Sequence, residues 1–109
     1  MSGPCAGLTI LDFSQGMPGA LCTLVMADYG AEVIKVELPG GDPFRFQSAW
    51  ISWNRGKKGI ELDLNDAEAR EQAVKLVGEA DVLVESFRPG DMAQWKLDYE
   101  TLSQLYPRL

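Results

Sequence analysis

Short apolar runs, separated by stretches of helical or irregular rhythm, set the pattern of the chain. Leu8-Thr-Ile-Leu-Asp-Phe13, Ala31-Glu-Val-Ile-Lys-Val-Glu37 and Ala80-Asp-Val-Leu-Val-Glu85 each concentrate branched or aromatic apolar residues, as strands do. Val82-Leu83-Val84 has no polar interruption, which predicts a strand buried on both faces. Lys58-Gly-Ile-Glu-Leu-Asp-Leu64 alternates apolar and polar instead, the period of a half-covered strand at or near a sheet edge.

The intervening segments read as helices and loops. Ser14-Gln-Gly-Met-Pro-Gly19 breaks the first strand with turn formers, and Pro18 suits the first turn of a helix. That helix should run to Tyr29 and stop at Gly30. Leu21, Cys22, Leu24, Val25 and Met26 surround it, with Thr23 and Asp28 the polar exceptions, so burial on more than one side is expected. A small sheet covers one side only. The other side of Gly19–Tyr29 is therefore expected to pack on a second copy or to stay exposed. Asn65 and Glu68 are placed as N-cap and N3 of a helix over Asp66–Val77, ended by Gly78. Ala69, Ala73, Leu76 and Val77 share one face of it, and Glu71 and Lys75 are spaced to pair on the other. Tyr99–Leu105 is a last short helix, stopped by Pro107. Leu38–Trp53 reads as a long loop whose aromatic residues argue against disorder.

Each strand–helix–strand connection is of a length suited to a right-handed crossover between parallel strands. Two such units in series predict an α/β, Rossmann-like, mostly parallel sheet of about four strands with flanking helices. Four strands are few for that architecture, and Pro107-Arg-Leu109 falls where a further strand is expected. Residues 1–109 are accordingly expected to be the N-terminal part of a larger domain; a complete minimal domain is the competing reading.

Composition narrows the chemistry. A net charge of −6 and a pI near 4.5 argue against nucleic-acid and anionic-membrane partners. The chain has no histidine, and Cys5 and Cys22 sit in no metal-ligand spacing, so no metal is expected. Gly19–Ala27, the most apolar stretch, is far shorter than a bilayer span. Met1-Ser-Gly-Pro lacks the basic start of a signal peptide, and a cytoplasmic setting is expected. Four of ten basic residues lie between Arg45 and Lys58. Arg55, Lys57 and Lys58 precede the third strand, away from the edge where parallel sheets take ligands, which suggests a solvated or inter-subunit role. Arg45 and Arg88 follow strands and are the better anion candidates. For Arg88, pairing with a surface carboxylate is the alternative. Gly16-Met-Pro-Gly19 is neither a dinucleotide fingerprint nor a P-loop, although a helix N-terminus still attracts anions. Asp12, Glu37, Asp42, Asp63 and Glu85 lie near strand ends, where carboxylates more often order loops than react.

Leu11-Asp-Phe-Ser14, Asp28-Tyr-Gly-Ala-Glu-Val-Ile-Lys-Val-Glu37, Gly40-Gly-Asp42, Asn54-Arg-Gly-Lys-Lys58, Ile60-Glu-Leu-Asp-Leu64, Ala80-Asp-Val-Leu-Val-Glu85 and Phe87-Arg-Pro-Gly90 together resemble the opening of class III CoA-transferases of the CaiB/BaiF type. That family includes formyl-CoA and carnitine CoA-transferases and α-methylacyl-CoA racemases. The resemblance implies an interlocked homodimer, acyl-CoA and carboxylic acid substrates, and coenzyme A held at the strand ends. It places Gly16, Met17 and Pro18 on the CoA channel, Leu62, Asp63, Leu64 and Asn65 by the adenosine, and Ser86, Phe87 and Arg88 by adenine and phosphates. The family usually has Ala-Gly-Pro where Met17-Pro18-Gly19 stands, and some members carry arginine at Leu38 and Gln94. The transferases' nucleophilic aspartate lies beyond the equivalent of Leu109, so no catalytic residue is expected here. An acyl-CoA racemase and a non-catalytic nucleotide-binding or interaction module are the alternatives.

Overall fold

β-Branched and apolar runs do become the strands. The computed structural model describes residues 3–109; Met1 and Ser2, on which part of the leader reading rests, lie outside them. Strands β1 (Thr9–Asp12), β2 (Glu32–Glu37), β3 (Lys58–Glu61) and β4 (Val82–Val84) form one sheet in the order β3-β2-β1-β4. All three pairings are parallel. Leu11 stands beside Ile34 and Leu83, Ile10 beside Val33 and Val82, and Asp12 beside Lys35 and Val84. Side chains alternate faces along each strand, so these rows belong to opposite sides of the sheet.

Helix α3 (Ala67–Glu79) covers one side together with α4 (Asp91–Gln94) and α5 (Tyr99–Leu105). There Leu11, Phe13, Val36, Leu62 and Leu64 pack with the buried Ala73, Val77, Leu97 and Leu102. Burying each such leucine contributes about 1.5–3 kcal/mol relative to leaving it in water, so this larger cluster carries most of the apolar stabilisation. Helix α1 (Met17–Asp28) covers the other side, over a smaller cluster of Ile10, Ala31 and Val33 with Met26 and Ala27. Gly30 closes α1 as expected, with Ala31 N–H on the Met26 carbonyl and Gly30 N–H on that of Ala27.

Several expectations need correction. β4 is half-buried, because it is an edge strand with β1 as its one neighbour. A groove of about 580 Å³ lies along it, walled by Met92, Leu97 and Leu102. α3 is capped by Asp66, whose side chain accepts the Ala69 N–H, rather than by Asn65, and it runs past Gly78 to Glu79. Glu71 and Lys75 are not among the six ion pairs of the described residues. In α1 the buried residues are Ala20, Thr23 and Leu24, while Met17, Leu21 and Val25 are 46%, 37% and 52% exposed. The polar Thr23 points inward, and the apolar stripe of Met17, Leu21 and Val25 stays partly exposed among the described residues, although α2 packs against another part of the helix. The aromatic loop is ordered and ends in a single helical turn, α2 (Trp50–Trp53).

Candidate functional site at the carboxyl rim of the sheet

Parallel strands put all four carboxyl ends on one rim, and the segments after β1, β3 and β4 are those that carry the expected contacts. The turn after β1 is built around two glycines. Gly16 has φ of +80°, and a Cβ there would meet the Phe44 ring at 3.2 Å. A Cβ on Gly19 would lie 2.3 Å from Ser14, so glycine lets α1 begin hard against the strand end. Gly16 caps α1 without any side-chain hydrogen bond.

Beneath the turn lies a polar network with four charged side chains. Asp12 and Lys35, neighbours in register, are both buried. Asp12 accepts from the Ser14 N–H and hydroxyl, from Thr23 Oγ1 at 2.6 Å and from Lys57 Nζ at 3.3 Å. Lys57 also donates to the Ala20 carbonyl and to Asn54 Oδ1. Lys35 donates to the Ser14 carbonyl at 2.8 Å and lies 3.5 Å from Asp42. Asp42 accepts in addition from Gly16 N–H, Phe44 N–H and the Trp50 indole N–H. Burial pushes the Asp42 carboxyl up, but the Phe44, Trp50 and Gly16 donors and the Lys35 charge outweigh it and hold its pKa below the usual aspartate value. Burial also holds Lys57 below the usual lysine value, against the opposing pull of Asp12.

Asp12 and Asp42 are thus loop-ordering acceptors, the commoner role for strand-end carboxylates. Lys57 does not fit its expected solvated role, since its side chain is 2% exposed and sealed against Asp12. Arg55 and Lys58 do lie on the surface, paired with Asp28 and Glu32. Arg45 is committed as well: it pairs with Glu37 at 2.9 Å and its guanidinium stacks 4.1 Å over the Trp50 ring. The basic patch from Arg45 to Lys58 is therefore already neutralised.

Across the rim, the segments are tied to one another. Gln15 N–H donates to Ser86 Oγ at 2.9 Å, joining the ends of β1 and β4. Trp95 Nε1 donates to Asn65 Oδ1 at 3.3 Å, and the Trp95 ring meets Phe87 edge-on at 5.2 Å. This chain of contacts links the segment after β3 to the one after β4, although their strands are opposite edges of the sheet. Sequence reasoning passed over Trp95, and nothing in its local pattern marks it. Met17, Pro18, Asp63, Asn65, Ser86 and Arg88 present exposed surface, and Phe87 is half-buried. Leu62 and Leu64 turn their side chains into the core, so only their backbone is left for a ligand. Gly16 is buried, with its N–H engaged by Asp42.

Arg88 makes no ion pair among the described residues; its backbone N–H bonds to Asp91. Pairing with a surface carboxylate is thus not its state. Arg70, Lys75 and Lys96 are the other basic residues without a carboxylate partner in that set, and they line a groove of about 500 Å³ with Trp95. Arg88 instead lines the groove along β4, with Glu85 and Pro89. No group of three or more acidic or sulfur ligands suited to a metal occurs among the described residues. Among them, too, no helix is long and apolar enough to cross a membrane.

A parallel sheet carrying these strand-end segments is matched by a family model. CoA-transferase family III covers residues 5–109, and the chain belongs to that family. It is 41% identical, over 98% of its length, to the succinyl-CoA:mesaconate CoA-transferase of Haloarcula hispanica, and spans 30% of that protein. The formyl-CoA:oxalate CoA-transferase of Escherichia coli is 40% identical over all of this chain, which covers 29% of it. A crystal structure of Rv3272 from Mycobacterium tuberculosis superposes with a TM-score of 0.95 at 40% identity, over 99% of this chain and 32% of that one. The chain thus spans about three tenths of the length of the relatives it matches.

Proposed function

We propose that this chain is the CoA-binding N-terminal part of the large domain of an acyl-CoA:carboxylate CoA-transferase. What supports the reading is an all-parallel sheet whose strand ends lead into the segments of Met17, Asn65 and Arg88, in a chain of CoA-transferase family III. Coenzyme A is a diphosphate-linked nucleotide with an extended arm. An unpaired guanidinium such as Arg88 suits its phosphates, and the Phe87–Trp95 pair beside Asn65 suits a flat base. The exposed Met17 and Pro18 at the start of α1 give the arm an apolar path.

In the full enzyme, an aspartate outside this chain attacks the thioester carbonyl and CoA thiolate leaves, giving a mixed anhydride. The thiolate then attacks the aspartyl carbonyl and frees the first carboxylate, leaving aspartyl-CoA thioester for the acceptor acid to enter by the reverse steps. The chain's own residues bind and orient CoA in that cycle and supply no nucleophile, so the isolated chain is inactive. Transferase names among the relatives favour transfer over racemisation. A homodimer and a cytoplasmic setting belong to the same reading.

Calorimetric titration of CoA into the folded chain tests it. Saturable heat is expected, weakened about tenfold (roughly 1.4 kcal/mol) in Arg88→Ala by loss of a charge-assisted contact. Absence of heat at millimolar CoA would leave a non-catalytic interaction module as the better reading.

A further inference from the structure

Asp42 and Lys35 are both sealed from solvent; their side chains are 1% and 3% exposed. Their partners nevertheless come from four separate segments. Asp42 gathers Gly16 of the β1–α1 turn, Phe44 of its own loop, Trp50 of α2 and Lys35 of β2. Lys35 adds a bond to the Ser14 carbonyl, on the other side of the same turn. Phe44, whose N–H bonds to Asp42, sets its ring 3.2 Å from where a Cβ on Gly16 would stand, and the φ of +80° there favours glycine. Backbone donor and acceptor on either side of Gln15 are therefore both held from beneath.

The ion pair within this arrangement is not what stability alone requires. Each buried ion loses several kcal/mol of hydration, and well-packed apolar residues in place of such a pair are commonly neutral or stabilising. A buried pair does supply direction. It fixes where Ser14 and Gly16 lie, and hence where Met17 and Pro18 emerge, which an apolar contact of the same volume leaves free to slide.

We infer that Asp42, seated by Lys35, is a positioning residue that latches the Ser14–Gly16 turn so that Met17 and Pro18 stand in place for a CoA-type ligand. The inference rests on the CoA reading and adds to it a residue that touches no ligand.

The test compares the chain with Asp42→Asn and with the paired Lys35→Met/Asp42→Leu, which removes both charges and leaves no orphaned ammonium. Thermal unfolding, amide hydrogen exchange and CoA titration are read on each. In the paired variant the Gly16 amide should exchange at least about tenfold faster relative to the β1 amides, beyond whatever fall in melting temperature follows from the Phe44 N–H and Trp50 indole N–H losing their acceptor. CoA affinity should fall about tenfold, as preorganisation is lost. Asp42→Asn, which keeps the volume and leaves Lys35 without its carboxylate, should lower the melting temperature and still move affinity and Gly16 exchange relative to the β1 amides in the same direction. Unchanged Gly16 exchange would overturn the latch. So would unchanged affinity despite faster exchange, or Gly16 and β1 amides accelerated alike. If the parent chain takes up no CoA, the CoA reading fails and the ligand half of the inference with it; Gly16 exchange then decides the latch alone.

Discussion

On the α3 side of the sheet, Leu11, Phe13 and Val36 meet Ala73, Val77 and Leu102, and no charge intervenes. On the α1 side, the apolar row Ile10–Val33 gives way to Asp12–Lys35 two residues further along the strands. The first face is closed by non-directional burial. The second is closed, at its ligand end, by hydrogen bonds between buried ions that fix individual backbone groups of the turn above. The difference teaches where each kind of force is useful: apolar packing holds the sheet to its helices, and directed bonds hold the rim in shape.

Truncation separates the two faces most sharply. Phe13→Ala should cost about 3–5 kcal/mol through the cavity it leaves. Asp12→Ala should cost a similar 3–5 kcal/mol, because Lys57 is left buried without its partner. A paired Asp12→Leu/Lys57→Met change should recover most of the second loss in urea unfolding, whereas removing a neighbour of Phe13 should deepen the first. Recovery in neither case would erase the distinction.

pH offers a gentler probe of the same network. The folded pKa of Asp42 lies below its unfolded value, so its stabilisation is present above the unfolded pKa and is lost as pH falls through the folded one. Lys57 acts in the opposite alkaline window. Its folded pKa is depressed, the unfolded chain binds more protons between the two values, and stability rises with pH there. In Asp42→Asn the acid limb of the stability–pH curve should flatten; an unaltered limb would mean other carboxylates carry it.

The smallest effect tests the boundary of α3. Asp66→Ala should cost about 1 kcal/mol as the bond to Ala69 N–H is lost. Asn65→Ala should leave helix stability within about 0.5 kcal/mol, since Asn65 caps nothing and serves Trp95 instead. The reverse order in thermal melts would return the cap to Asn65.

Apolar rhythm revealed the strands, the three longer helices and the parallel order, because each is a local pattern that tertiary packing here reinforces. Gly30 and Pro18 marked the ends of α1 for the same reason. The inward turn of Thr23 was not legible: it follows from Asp12, whose buried carboxylate needs donors. A signal did exist in Lys35, which shares the face of Val33 in a period-two strand and so had to find a buried partner. The identity of that partner depends on a loop that crosses back over the strand end, which no periodicity encodes. Val82–Val84 read as doubly covered because its composition reports apolar neighbours, not their number. Trp95 reaches Asn65 only through the path of α4, so its place beside Phe87 had no sequence mark.

On the CoA reading, the carboxyl rim acts as one binding surface. ¹⁵N-resolved NMR of the folded chain titrated with CoA tests it most directly. Shifts are expected to concentrate on Met17, Asn65, Ser86, Phe87 and Arg88 and on the Trp95 indole, with the amino-end residues Gly30, Arg55 and Gly56 unmoved. Shifts confined to the amino end, or spread evenly over the chain, would contradict it.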